Sequence, residues 1–166
     1  MSNSFRVGFY GGAILAVVLG VYLTRLWSSE RQIDLHTRHL LRSLEQRDWQ
    51  KFSSFLAPDY RDQWGEDRAL VLARARQVFS YLRGIELRPI DPVLHSSGRD
   101  GSWEGRIELT GAKNSELAGM VKERLDNLRT PFRLNWRQQS GKPWDWQLVS
   151  VSNNELTLPE GNEAMP

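Results

Sequence analysis

The chain opens on an apolar run and then changes period twice. Val7 to Thr24 reads VGFYGGAILAVVLGVYLT, 18 residues lying between the charges of Arg6 and Arg25. That just reaches the length of a membrane span, with Tyr10, Tyr22 and Trp27 placed for the headgroup level. The run predicts a single transmembrane helix. The competing reading is a cleaved signal peptide, whose best site follows Val18-Leu19-Gly20, because no Ala-x-Ala pattern comes after the run. Gly8, Gly12, Ala16 and Gly20 recur every four residues. That spacing lines up small residues on one helix face, where a second helix can approach closely.

Beyond the run the apolar residues first take the helical period. Ser29 with Gln32 forms a capping box, and Ile33, Leu40, Leu41 and Leu44 share one face of a helix from about Glu30 to Arg47. Asp48 caps a short second helix bearing Trp49, Phe52, Phe55 and Leu56, which Pro58 ends. A third helix follows Gly65 with Leu70, Leu72, Ala73, Val78, Phe79 and Leu82 as its apolar positions, and Gly84 stops it. The period then becomes two. A strand runs from Ile85 to Leu94, which Pro89 and Pro92 restrict to an edge or a bend. Trp103 to Leu109 and Phe132 to Arg137 alternate cleanly. Ser140-Gly141-Lys142 turns the chain into a last strand beginning with Trp144, Trp146 and Leu148, where the adjacent Leu148 and Val149 predict a bulge. Leu117, Val121, Leu125 and Leu128 predict a helix inserted between strands, and the polar tail from Asn154 reads as flexible. The divisions are therefore an anchor (residues 1–29), an α+β domain (30–153) and a tail (154–166).

Composition narrows the function classes. The 166 residues are 40% hydrophobic and 25% charged, which are globular values. Basic residues number 22 against 20 acidic ones, interspersed along the chain, so no basic stripe argues for nucleic acid. The absence of cysteine excludes disulfides, thiolate catalysis and Cys-ligated zinc. His36 and His39 lie on one helix flank without a third ligand, so neither a metal nor another cofactor is expected.

The order of helices and strands resembles the nuclear transport factor 2-like (cystatin-like, SnoaL-like) domain over roughly residues 32–153. The resemblance is carried by Asp48-Trp49 leading to Phe55-Leu56-Ala57-Pro58-Asp59-Tyr60, by Trp103-Glu104-Gly105-Arg106-Ile107-Glu108-Leu109, by Pro131-Phe132-Arg133-Leu134-Asn135-Trp136-Arg137 and by Trp144-Asp145-Trp146-Gln147-Leu148-Val149-Ser150-Val151. It implies helices packed on a bent antiparallel sheet to form a cone, preceded here by the anchor. These are patterns of size and polarity, and the fold hosts isomerases, dehydratases, transport factors and membrane-bound scaffolds.

Alternation assigns the two sheet faces. Trp103, Ile107, Leu109, Phe132, Leu134, Trp136, Trp144 and Trp146 form the pocket or core face. Glu104, Arg106, Glu108, Arg133, Asn135, Arg137, Asp145 and Gln147 form the other, whose mixed charge suits solvent or a second copy. The polar candidates at the mouth of the cone are Asp59, Tyr60, Asp62 and Trp64, with His95 at a strand end. The expected function is a membrane-tethered, non-catalytic binding or scaffold module with an apolar pocket, its domain extracytoplasmic. Its expected partners are the membrane, a hydrophobic small molecule, and a second copy docked through the sheet face or the membrane helix. Two alternatives stand beside it: a SnoaL-like lyase or isomerase of a hydrophobic small molecule, and a structural domain of a larger membrane complex.

Overall fold

A computed structural model describes residues 14–20, 22, 27–111 and 116–156. The globular part runs α1 (Ser29–Gln46), α2 (Trp49–Phe55), α3 (Arg68–Tyr81), β1 (Glu86–Ser97), β2 (Asp100–Thr110), α4 (Glu116–Asp126), β3 (Phe132–Gln138) and β4 (Trp146–Ser152). The strands form one antiparallel sheet in the order β1-β2-β3-β4. Each of the first three helices starts where a side-chain oxygen takes a backbone N–H that the helix itself leaves unpaired. Ser28 accepts from Arg31, Asp48 from Lys51 and Asp67 from Leu70. The first of these caps lies one residue before the Ser29 that the sequence suggests.

Two glycines on either side of one tryptophan seat α1 on the sheet. A Cβ on Gly101 would overlap Cδ1 of Ile33, so α1 comes down on β2 where the strand has no side chain. A Cβ on Gly105 would lie 2.8 and 2.9 Å from Cη2 and Cζ2 of Trp103, so the indole lies along its own strand over Gly105. Trp103 is fully buried there. Trp136, Trp146, Leu134 and Leu148 join it from the neighbouring strands, and Ile33, Leu40, Phe52 and Leu56 from the helices. A second cluster lies under α4, where Ala118, Val121 and Leu125 meet Leu82, Ile85 and Leu109.

One sheet edge is covered and the other interrupted. On β1 the prolines fall on the edge strand, the register with β2 slips between Ile90 and Val93, and Asp91 takes φ 47°. Glu45 of α1 accepts the outward N–H of Leu87 at 2.5 Å. Along the free side of β4 runs the segment 56–63, where Ala57, Arg61 and Gln63 donate their N–H groups to the carbonyls of Leu148, Val149 and Val151. Within β4, Leu148 pairs with Trp136 and Ser150 with Asn135, so Val149 is the extra residue of the bulge that the sequence predicts.

Four expectations change. Trp144 is not on the core face: it is 58% exposed, because the Ser140–Asp145 turn extends to it and the strand starts only at Trp146. Leu70 is 45% exposed and α3 buries no residue fully, since its backbone lies over α1 and α2 and only side chains such as Val71, Leu72 and Ala75 reach in to the core. The chain does not loosen at Asn154. Leu156 takes the indole N–H of Trp64 at 2.7 Å, and Oδ1 of buried Asn153 accepts the N–H groups of Glu155 and Leu156, both at 3.0 Å; residues 157–166 lie outside the described residues. Finally, no helix among the described residues is long and apolar enough to cross a membrane. Of the Val7–Thr24 run, residues 14–20 and 22 are described, and they are helical and exposed. Ala16 and Gly20 of the small-residue face are among them, whereas Gly8 and Gly12 lie outside the described residues.

The seating of Trp103 predicts a contrast between two glycines. Gly105→Ala forces a methyl into a packed indole and should lower unfolding stability by about 1–3 kcal/mol. Gly141→Ala, with open space around it, should change stability little. Trp136→Ala should cost about 3–5 kcal/mol. Denaturant midpoints of the three variants measure the differences.

Candidate functional site

The loop between α2 and α3 holds most of the polar candidates and separates them by role. The helix ends at Phe55, three residues before Pro58, and from Leu56 the extended backbone pairs with β4 up to Gln63. Asp59 faces outward and makes a two-pronged ion pair with Arg137 of β3, at 2.6 and 2.7 Å from Nη2. The guanidinium holds the Asp59 carboxyl below the usual carboxylate range. Tyr60 turns inward into the core and is 3% exposed. Burial, with Asp62 and Glu66 nearby, pushes its phenol well above the ordinary value, so it remains a neutral O–H.

Asp62 is buried and already engaged. Its Oδ1 accepts the N–H of Trp64 at 2.9 Å and that of Glu66 at 2.8 Å, which locks the turn before α3. Trp64 is half-buried and its indole is spent on the Leu156 carbonyl. Glu66, which sequence reasoning missed, is 5% exposed and lies 2.6 Å from Nη1 of Arg74 on α3. Burial raises its pKa, Arg74 opposes the rise, and the negative charge of Asp62 adds to it. Tyr60, Asp62, Glu66 and Arg74 are thus one partly buried cluster. A signal for it was present in the four-residue spacing of Asp62 and Glu66, but nothing in the pattern marked Arg74 as the partner.

His95 is not part of this cluster. It is exposed on β1, four strand spacings from the segment 56–63, roughly 19 Å at the usual interstrand distance. His36 is no metal ligand either, because both ring nitrogens face backbone carbonyls, Nδ1 at 2.8 Å from Gln32 and Nε2 at 3.0 Å from Trp144. Among the described residues no group of three His, Asp or Glu is arranged to hold a metal ion.

The remaining candidates line the sheet. Trp103, Trp136, Trp146 and Leu134 are at most 3% exposed, while Ile107 and Phe132 are half-buried and packed against the same cluster. The indole N–H groups of Trp103 and Trp136 and the hydroxyl of Thr37 are buried without a hydrogen-bond partner. On the opposite face the charges are met across strands: Glu104 and Arg133 are register partners and form an ion pair at 2.7 Å. Beside them Asn135 donates to the Ser150 hydroxyl at 2.8 Å.

This arrangement of helices over a curved antiparallel sheet is the nuclear transport factor 2-like, or cystatin-like, fold. Neither the protein-family models nor the curated proteins give a match to the sequence. Solved structures give many. A nuclear transport factor 2-like protein of unknown function from Pseudomonas putida aligns with TM-score 0.55 and 12% identity, over 75% of this chain and 84% of its own. A candidate dehydratase of the same fold family from Streptomyces avermitilis aligns with TM-score 0.54 and 14% identity, over 75% and 93%. A candidate ketosteroid isomerase from Shewanella frigidimarina reaches TM-score 0.51 at 11% identity, over 75% and 95%. Likeness at such identities establishes the fold and no activity.

The acidic cluster predicts a pH effect whose sign follows from Glu66. Its folded pKa is raised, so the folded state holds the proton more tightly than the unfolded chain. Its contribution to stability therefore falls as pH rises from the ordinary glutamate value through the raised folded value. Glu66→Gln should flatten the urea midpoint across that window. Asp59→Asn should instead remove a contribution that is present at neutral pH and lost on acidification below the ordinary aspartate value. Asp62→Ala, which leaves two N–H groups unmet in a buried turn, should cost about 1–3 kcal/mol at neutral pH.

Proposed function

We propose that the chain is a membrane-tethered, non-catalytic binding or scaffold domain that works through its surfaces. The observation carrying the proposal is the occupation of the cone: Trp103, Trp136, Trp146 and Leu134 fill the inward sheet positions at 0 to 3% exposure. The carboxylates that would supply acid–base chemistry are engaged elsewhere. Asp59 is paired outside, Asp62 accepts two backbone N–H groups, and Glu66 is paired with Arg74. General acid–base catalysis needs such a group within reach of a bound substrate. The tether is supported by the helical residues 14–20, in which Ile14, Leu15, Val17, Val18 and Leu19 are 50 to 65% exposed. An apolar stretch on all sides of a helix is favourable in lipid and unfavourable in water.

A second reading, a hydrophobic ligand held in the cone, has one observation in its favour. The unpaired indole N–H groups of Trp103 and Trp136 and the Thr37 hydroxyl would welcome a polar atom, since a buried unmet donor costs about 1–3 kcal/mol. The candidate dehydratase and ketosteroid isomerase of like fold make a lyase or isomerase the chemistry to test on that reading.

Titration with the apolar dye 1-anilinonaphthalene-8-sulfonate separates the two. The protein should show no saturable one-to-one binding, whereas Trp103→Ala should acquire it by opening a cavity. Saturable one-to-one binding by the unaltered, folded protein would overturn the filled-cone reading. For the tether, the full chain should stay with membranes through carbonate extraction; a mature protein that begins near Val21 would overturn it.

A further inference from the structure

The exposed side of α1 differs in charge from the outer face of the sheet. Its outermost positions are Arg31, Arg38 and Arg42, all exposed, spaced by seven and four residues and so in one line about 17 Å long. The flank toward β1 is acidic, and its carboxylates are spent: Glu30 accepts from the Ser96 hydroxyl, Glu45 from the Leu87 N–H, and Asp34 from Arg38 at 2.9 Å. The flank away from β1 is basic. There His39 is exposed, and its pKa is lowered first by desolvation and then by charge on Lys51, His36 and Arg42 nearby.

On that flank stands Trp144. The turn that carries it is tied down: His36 Nε2 lies 3.0 Å from the Trp144 carbonyl oxygen, Trp146 Nε1 donates to Pro143 at 2.9 Å, and Gln138 Nε2 donates to Lys142 at 2.6 Å. The main chain adds a bond from the Gln139 N–H to Asp145 at 2.9 Å. A large aromatic is thus held out into solvent on a fixed turn, where the fold gains nothing from its exposure.

Two facts select what covers this side. Arg31, Arg38, Arg42, Lys51 and, on the Trp144 turn, Lys142 outnumber the acids of this side, Asp34, Asp48 and Asp145, while Glu30 and Glu45 lie on the flank toward β1. And α1 begins directly after Trp27, itself 49% exposed and preceded by the exposed apolar residues 14–20. Arginines, a lysine and interfacial tryptophans next to an apolar segment suit a lipid surface with anionic headgroups.

We propose that this side of α1, together with Trp144, lies against an anionic phospholipid surface. The arginines and Lys51 sit over the phosphates, and Trp144 enters the headgroup layer. The proposal rests on the tethered reading and adds an orientation to it: α1 runs along the membrane and the domain leans on it, instead of standing off on a stalk.

The chain has no cysteine, so a single polarity-sensitive fluorophore can be attached to Gly141→Cys, on the same turn as Trp144 and with open space around it. Gly119→Cys on α4 serves as the control position. The full chain is reconstituted with phosphatidylcholine vesicles, with and without phosphatidylserine, and floated on a density gradient. Both vesicle types should float it. The fluorophore at position 141 should shift to the blue only with phosphatidylserine, and added salt should reverse the shift. The fluorophore at position 119 should not respond. Arg42→Glu combined with Lys51→Glu should abolish the shift while flotation persists. Flotation without a phosphatidylserine-dependent shift, as expected if a protein covers this face, overturns the proposal and leaves the tether standing. So does a shift that survives both substitutions or appears equally at position 119. Failure to float with phosphatidylcholine overturns the tether; flotation that then requires phosphatidylserine, Arg42 and Lys51 sustains the face alone. Failure to float with either composition overturns both.

Discussion

The separation between α1 and the sheet is fixed at two points on β2, Gly101 under Ile33 and Gly105 under the indole of Trp103. Interiors pack at crystal-like density, so a single added methyl at such a contact is felt by everything around it. Here the contact decides what the cone can be. With the helix drawn down and the indole lying along the strand, the space that a curved sheet would otherwise enclose is taken by the chain's own aromatics. Trp136 and Trp146 from the next strands close on it. The charged and exposed aromatic groups stand outside the cone.

Charge is distributed in keeping with a filled interior. The acids nearest the core serve the backbone or an arginine: Asp62 fixes the turn before α3, and Glu66 is held by Arg74. A buried carboxylate is tolerated on those terms because its partners offset part of the lost hydration. On the outer sheet face Glu104 and Arg133 cancel locally. On α1 Glu30, Asp34 and Glu45 equal Arg31, Arg38 and Arg42 in number, but the acids lie toward β1 and the arginines along the exposed side.

Much of this was legible in the sequence because local rules and tertiary packing agree. The helix cap at Asp48, the prolines on β1 and the doubled Leu148-Val149 each have a local cause that the fold leaves in place. Trp144 was misread because alternation says which face a strand residue takes but not where the strand begins. The tied turn claims Trp144 before β4 starts. Leu70 was misread because a helical stripe can be apolar and still lie over other helices instead of the sheet. The site cluster was half visible. Tyr60 and Asp62 stood out by type and place, but Arg74 meets Glu66 across the turn that opens α3, a pairing that no helical spacing reveals. Outside the cluster, Asn153 reaches back to the segment before β3. Asn153 alone bonds to Thr130, Pro131, Glu155 and Leu156.

The segment 56–63 has a consequence for how the domain can meet other chains. It takes up the hydrogen bonds along one side of β4, while prolines, a bulge and Glu45 spoil the far side of β1. An incoming strand finds the β4 margin taken and the first half of the β1 margin broken, so only the short stretch 93–97 offers a ladder to extend. The runaway stacking that a long flat margin invites is held back by the same features.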